Sequence, residues 1–586
     1  MCAILGVFTN SDFEPDSIAK FKKALELTSH RGPDISNELF FKNALLGFNR
    51  LSIVGVANGS QPFLNEDASV FLLCNGEIYN HLDLRKELAD KHRFLTDSDC
   101  EVILHGYEED PKNFPARLRG QFSFLIFDKN RNRLILSRDR FGINPLFYGI
   151  SNSQLIVSSE IKSILALDSS ISAGLDPIGL KETFFLYGPT PPRTCFQNIF
   201  QAEPGKILTF DLEKNEIIEN KRYWNLPKVK IRKNKEIVKE FSRLLEKAVD
   251  LRIQGDVPNA SVYLSGGLDS ASIASLLRKL GHLPNVFSIA FHDPKLDESH
   301  YQKKIANFLK IPLFSLFGDE LFDSNLFQTI WHTEHPLIRT APLPLYSLSH
   351  LVRAQGNKFV CCGEGADETL LGYPVFAEKL CSIEDKLPEY SELEKLFGYS
   401  EMTGRNMVAG QMTSTLNDWN VAPNSIRHKQ LIEMQTKLTR YLLVQQGDRQ
   451  SMSHGVEQRF PFLDEDLVDF LFSLPADWFE KNCMNKKLLK KAMNKLLPQI
   501  ILRRKKQGYL APMDRQLYES VYFSQLIESA DTERFALIMG NYYAADEVRK
   551  LVRDYRDKSL NETNTIGILL VMSTYILHRQ FYGDLT

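Results

Sequence analysis

The sequence predicts two domains of different fold class. Residues 1–205 read as an α+β domain of stacked antiparallel sheets with helices. Residues 206–235 read as a connector, and residues 236–586 as an α/β domain whose doubly wound parallel sheet gives way to a helical C-terminal part. Three observations carry this. The first third is made of short apolar runs punctuated by Gly and Asn, as hairpins require. From 236 onward strand-like runs alternate with helical periodicity. Beyond 370 the periodicity is mainly helical. A chain of 586 residues has room for two to four domains of ordinary size.

The elements follow in order. The apolar start Met1–Phe8 predicts a buried first strand. It has no basic leader region, and Asn10, Ser11 and Asp12 stop it too soon for a signal sequence. Further strands are expected at Ala44–Phe48, Val70–Cys74, Gln121–Phe127, Arg133–Arg138 and Leu155–Ser158, with helices at Ser17–Thr28 and Leu82–Asp90. Lys206–Phe210 is strand-like and leads into the basic run Lys228–Lys233, read as a solvated linker rather than an anion site. The second domain then reads as strand Ser261–Leu264, helix Ser270–Lys279, strand Val286–Phe291, helix Glu298–Leu309, strand Pro312–Leu316, further helices to Leu351, and strand Lys358–Cys362.

Composition narrows the function classes. The chain is 43% hydrophobic and 25% charged, with a net charge of −2. That gives no basic footprint for nucleic acid, and no window is apolar enough for a membrane helix. The eight cysteines are scattered, with no CxxC and no zinc spacing. They predict reduced thiols in a cytoplasmic enzyme acting on small molecules. Nothing here fixes the oligomeric state, and a homodimer is compatible with it.

Two groups of motifs carry chemistry. Cys2 follows the initiator Met, so removal of Met1 leaves a thiol beside a free α-amine. Such an amine titrates near ~8 and can serve as the base that activates the thiol. Downstream come His30-Arg31-Gly32-Pro33-Asp34, Arg50-Leu51-Ser52-Ile53, Asn75-Gly76-Glu77-Ile78-Tyr79-Asn80, Ser98-Asp99-Cys100-Glu101 and Arg138-Asp139-Arg140-Phe141-Gly142. The Asn75 block is expected to follow a strand, and Ser98 or Asp99 to cap a helix. In the second half Ser265-Gly266-Gly267-Leu268-Asp269-Ser270 joins a strand to a helix. Its glycines let the backbone approach a phosphate at a helix N-terminus. It lacks the lysine of the common phosphate loop, and Asp269 suits Mg²⁺ better than phosphate. Gly363-Glu364-Gly365-Ala366-Asp367-Glu368 follows the next apolar strand, at the carboxyl end where ligands bind in open α/β sheets.

These motifs, in this order, resemble the asparagine synthetase family across essentially the whole chain. The first domain is similar to class II, N-terminal-nucleophile glutaminases, the second to ATP pyrophosphatases. The resemblance implies that Cys2 attacks the glutamine amide while Asn75 and Gly76 hold the oxyanion. It implies that Arg50 binds the α-carboxylate, that Glu77 and Asp99 bind the α-ammonium, and that Leu51 and Ile53 complete the pocket. For ATP it implies Leu264, Ser265, Gly266, Gly267, Leu268, Asp269, Ser270, Ile289 and Gly363, with Asp269 and Asp367 on Mg²⁺. Glu364 is then the group that orients ammonia or takes its proton. Lys486 faces the α-phosphate, with Lys487 as the neighbouring alternative and Arg503 and Lys505 as further cations. A third block, from Asp448-Arg449 to Glu457–Asp464, also matches. Fusion of the two domains implies that ammonia passes inside the protein and that the acceptor becomes an acyl-adenylate, with release of AMP and pyrophosphate.

The chain departs from the family at Cys362, where the family has serine, in Glu334–Pro342, and after Lys505. These departures bear on the acceptor, not the chemistry. Aspartate is the first choice, with Arg339 as the cation for its carboxylate. Another carboxylate (a sugar acid, a peptide or a natural-product intermediate) is the alternative. A non-catalytic glutamine- or ATP-binding regulator is disfavoured because Cys2, Asp269 and Glu364 are all present.

Overall fold

The computed structural model describes residues 2–151, 154–257, 260–377, 391–398 and 425–583, with five single positions between 410 and 422. Met1 and Cys381 lie outside the described residues. The first domain has four layers. One six-stranded antiparallel sheet runs from edge to edge as Ile199–Gln201, Phe147–Ile150, Gln154–Ser158, Ala3–Thr9, Ala44–Arg50 and Ile35–Phe40. The other runs as Glu216–Arg222, Lys206–Asp211, Arg133–Arg138, Gly120–Asp128, Val70–Ile78 and Phe63–Leu64.

Alternation along the strands dictates the stacking. Ile4, Phe8, Leu46 and Phe48 of one sheet meet Phe71, Leu73, Leu125 and Phe127 of the other in a shared core. The opposite faces are apolar too. Leu5, Val7, Leu45 and Ile156 pack against Phe21, Leu25, Ile161 and Ile164, on helices Pro15–Glu26 and Ile161–Leu167. Leu72, Cys74, Phe122 and Phe124 pack against Leu84, Leu88, Val102 and Ile103, on helices His81–Leu88 and Glu101–Glu109. With both faces buried, Ala3–Thr9 and Gly120–Asp128 are inaccessible along their whole length.

The second domain holds a five-stranded parallel sheet, ordered Leu313–Phe317, Asn285–Ala290, Ser261–Tyr263, Phe359–Cys361, Glu457–Arg459. Helices cover both faces. Val262 and Val286 join a core with Ile237, Phe241, Ile273 and Ile305, while Phe287, Ile289 and Val360 join one with Leu326, Ile330, Leu348 and Val352. The strand order reverses between Ser261–Tyr263 and Phe359–Cys361, so the loops after these two strands open into one crevice, the usual ligand position of doubly wound sheets. Among the described residues no helix is long and apolar enough to cross a membrane, and the cysteines are unpaired.

Three expectations need correction. Lys206–Asp211 and Glu216–Arg222 are not part of a connector; they complete the second antiparallel sheet by pairing outward from Arg133–Arg138. Glu216–Arg222 is a charged, largely exposed edge strand, so it lacks the apolar pattern that would announce it. Asn75, Gly76 and Glu77 lie inside strand Val70–Ile78 rather than after it. Neither Ser98 nor Asp99 caps the next helix; Cys100 holds that position without a side-chain bond, and an Asp99 oxygen accepts from the Ile78 N–H at 2.6 Å.

Candidate active site

Cys2 sits where the first strand begins, between Leu51 and Asn75. Its backbone N–H donates to Asn75 Oδ1 at 2.6 Å. Its sulfur receives the Leu51 N–H at 3.4 Å and faces the Leu51 carbonyl at 3.9 Å. Burial pushes the thiol up to about 11, against the pull of the Leu51 N–H and Arg50. A thiol so placed does not ionise unaided near neutrality, and a base must reach it. Asn75 spends its oxygen on the Cys2 backbone, which leaves its buried Nδ2 with no partner among the described residues. The Asn144 amide fixes Asn75 further by donating to its carbonyl at 2.5 Å. A side chain at Gly76 would meet the Gln121 carbonyl at 2.2 Å, so only glycine fits there.

Around this centre lie the other predicted groups. The buried Arg50 donates to the carbonyls of Val54 and Gly55 at 3.0 and 2.6 Å. Ile53 is buried, and its carbonyl accepts from Asp256. Burial raises the pKa of Glu77, with the charges of Asp99 and Glu457 adding to it, and burial also raises Asp99. Two such carboxyls favour a cationic ligand. The Arg138–Gly142 motif is a brace: Arg138 bonds the carbonyls of Asn144, Gly142 and Ala202, and Asp139 accepts from the N–H groups of Phe141 and Ile143.

The second site is a cavity of about 640 Å³ at the crevice of the parallel sheet. Ser265–Ser270 forms one wall. Gly266 takes φ +77°, Gly267 caps helix Leu268–Lys279, and Ser265 Oγ bonds Ser270 Oγ at 3.2 Å. That helix begins two residues earlier than its pattern suggested. Leu264, Ile289 and Gly363 line the same cavity. Lys486 reaches across to Asp269 and Asp367, at 2.6 Å from each. Lys487, next in the chain, is exposed, so Lys486 is the inward one. It points inward because Asn485 and Lys486 both take left-handed φ, 55° and 58°, turning the chain before helix Lys487–Met493.

Sequence reading missed two cations here. Lys506 contacts Asp367 at 2.7 Å, and Arg504 bonds the Gly266 carbonyl at 2.8 Å and Glu298. Their neighbours Arg503 and Lys505 also line the cavity but make no such bonds in the described structure. Only the parity of the loop separates the pairs, and no sequence signal sets it. Burial works against an ionised Asp367, but Lys486 and Lys506 hold its pKa well below the usual range. Burial, with the charge of Asp269 adding, pushes Glu364 up to about 7. Among the described residues Glu364 Oε2 and Asp269 Oδ1 are buried with no hydrogen-bond partner. Two carboxylates with an orphaned oxygen suit a hard, oxygen-seeking cation such as Mg²⁺. Arg339 lies on the cavity wall, with its guanidinium 5.2 Å from the centre of the Tyr187 ring.

The third motif block does not line the cavity; it holds the two domains together. Arg31 makes a two-pronged pair with Asp448, at 2.9 and 2.8 Å, and donates to the Cys2 carbonyl at 3.1 Å. Glu160 accepts from Arg31 and pairs with Arg449, which also pairs with Glu334. Arg459 reaches Glu77 at 3.2 Å. The backbone of Cys2 and the wall of the Glu77 pocket are therefore tied to the second domain through buried ion pairs.

Comparison with known proteins comes in two parts. Residues 1–224 match a glutamine amidotransferase domain model, and residues 240–577 match the asparagine synthase model. Asparagine synthetase [glutamine-hydrolyzing] 1 of Bacillus subtilis is 29% identical, over 98% of this chain and 96% of its own. Amidase chyE of Penicillium rubens is 31% identical, over 95% and 94%. Asparagine synthetase B of Escherichia coli is 30% identical, over 87% and 82%.

Proposed function

Because the chain belongs to the asparagine synthase family, we propose that it takes nitrogen from glutamine and, with ATP and Mg²⁺, converts aspartate to asparagine. It is a glutamine-dependent amidotransferase of that family. Cys2, freed of Met1, attacks the side-chain amide of glutamine. Its α-amine takes the thiol proton and hands it to the leaving nitrogen, so that ammonia departs as the thioester forms, and water then hydrolyses the thioester to glutamate and restores the thiol. The orphaned Asn75 Nδ2 and the Gly76 N–H face the oxyanion. Arg50 holds the substrate α-carboxylate, and Glu77 and Asp99 hold its ammonium.

In the cavity the glycine loop Ser265–Ser270 cradles the phosphates. Asp269 and Asp367 are the residues to hold Mg²⁺, which would neutralise pyrophosphate charge. The acceptor carboxylate displaces pyrophosphate from the α-phosphorus, and Lys486 steadies the charge that develops there. Ammonia then attacks the acyl-adenylate and AMP leaves. Glu364, poised near neutrality, takes the surplus proton. Ammonium is a poor nucleophile, so an internal route between the sites serves the chemistry.

The observation that carries this reading is the pairing of Asp269 and Asp367 on Lys486 beside the glycine loop. Its test is the nucleotide product: turnover should give AMP and pyrophosphate, and ADP as sole product would overturn it. A second reading has specific support. A 31% identical relative is named an amidase, and Glu334–Pro342, with Arg339, departs from the family pattern. A panel of carboxylic acids decides between them. If aspartate fails to stimulate pyrophosphate release while another acid succeeds, the acceptor is the other acid.

A further inference from the structure

In the outer layer of the first domain, two histidines and two glutamates converge at a place no step above uses. Glu66 lies in the turn after strand Phe63–Leu64, His92 follows helix His81–Leu88, and His105 and Glu108 sit on helix Glu101–Glu109. One ligand atom from each lies within 4.8 Å of all the others. The contacts are His92 Nδ1 to Glu66 Oε1 at 3.6 Å, His92 Nδ1 to Glu108 Oε2 at 3.5 Å, and His105 Nδ1 to Glu108 Oε2 at 3.1 Å. Tetrahedral zinc with bonds of about 2.0–2.1 Å separates its ligand atoms by roughly 3.3 Å. These edges therefore already approach a coordination tetrahedron.

The outer partners point the same way. Metal-binding histidines usually direct the second ring nitrogen at a carboxylate, which fixes the ring and its tautomer. Here His92 Nε2 meets Glu109 at 3.2 Å, while the buried His105 Nε2 lies 3.8 Å from Glu101 and has no hydrogen-bond partner among the described residues. Glu101 is itself anchored by the N–H groups of Leu95 and Thr96, at 2.7 and 2.9 Å. Asn65 donates to the remaining oxygen of Glu108 at 2.8 Å, and the Arg93 N–H donates to Glu66 at 2.9 Å. The charge balance also fits. Glu109 has Lys91 and Glu101 has Arg85, but among the described residues Glu66 and Glu108 face no lysine or arginine. The two rings stack with centroids 4.7 Å apart, so both present a nitrogen to the same carboxylate, Glu108.

We propose that Glu66, His92, His105 and Glu108 form a structural Zn²⁺ site. Two imidazoles and two carboxylates are a borderline donor set that suits this ion, and four protein ligands leave no open position for catalysis. The site would clip the 66 turn and the 92 segment to helix Glu101–Glu109. That helix starts two residues after Asp99, so the clip would steady one wall of the Glu77–Asp99 pocket.

The test uses the full chain, stripped with a chelator and re-equilibrated with micromolar Zn²⁺. Zinc per chain is measured after desalting, and the thermal midpoint is read with and without the ion. The wild type should retain one zinc and melt higher with it. Glu66→Gln, at a side chain 44% exposed, and His92→Gln should bind at least tenfold more weakly and show no zinc-dependent shift. An unchanged far-ultraviolet circular dichroism spectrum would show that they fold. Asp269→Asn serves as the control for zinc caught in the ATP cavity and should keep the bound ion. Failure of the wild type to retain zinc, retention by both ligand variants, or loss only in Asp269→Asn would overturn the proposal.

Discussion

Cys2 is 7% exposed and meets the backbone of Leu51 and the side chain of Asn75, all on or beside strands of two stacked sheets. The other centre is a cavity of about 640 Å³ whose charged groups come from segments as far apart in sequence as Asp269, Asp367, Lys486 and Lys506. On the proposed reading the first site holds one nucleophile in a fixed, buried frame, and the second gathers opposed charges that part when ATP and a metal bind. The difference teaches where each is vulnerable. A single atom decides the first, whereas the balance of charge decides the second.

The sharpest way to break the comparison is Cys2→Ala. Glutamine-dependent synthesis should fall by orders of magnitude while ammonium salts still support it, most clearly at alkaline pH. Full glutamine-dependent activity would require another nucleophile, with Cys74 and Cys100 next to examine. Asp269→Asn is the mirror image. Removing one carboxylate from the Lys486 pair should cost about 10²–10³ in amide formation and leave glutamine hydrolysis intact. Normal synthesis at saturating Mg²⁺ would contradict the assignment.

Asp448→Ala attacks the link between the sites. It leaves Arg31 buried with half its partners, which should destabilise the chain by about 3–5 kcal/mol. Because Arg31 also holds the Cys2 carbonyl, more than one glutamate should form per amide made. An unchanged melting profile and tight coupling would show that the network is ornamental.

Glu364→Gln sharpens the view of the second centre. The folded-state pKa of about 7, from burial and then the charge of Asp269, lies above the ordinary glutamate value of 4.5. A raised carboxyl favours the fold while protonated, so its contribution is complete below about pH 4.5 and is lost as pH rises through 7. The neutral amide should therefore stabilise the protein at pH 8, by on the order of 3 kcal/mol, while synthesis falls. In the wild type, synthesis at constant free ammonia should rise with pH through about 7. Equal melting of both proteins at pH 8 would mean Glu364 is not held in its neutral form.

Legibility in the sequence followed the same divide. The strands carrying Cys2 and Asn75 bury both faces, so their apolar runs announce them, and the motifs mark their neighbours. Glu216–Arg222 escaped because an exposed edge strand needs no apolar pattern. In the second domain the glycine and acidic loops were legible, since each follows an apolar strand of a parallel sheet. Lys506 and Arg504 were not, because a basic run gives no clue to which members turn inward. The Arg31–Asp448 pair joins two flagged motifs that lie 417 residues apart, and no local periodicity encodes such a contact.

The central claim is that the Cys2 site feeds the Asp269–Lys486 site inside one molecule. The direct measurement supplies glutamine labelled with ¹⁵N in its amide, in the presence of excess unlabelled ammonium at neutral pH, and reads the label in the amide product by mass spectrometry. The account predicts product labelled nearly to the level of the glutamine. Product diluted to the isotopic ratio of the bulk ammonium would contradict it.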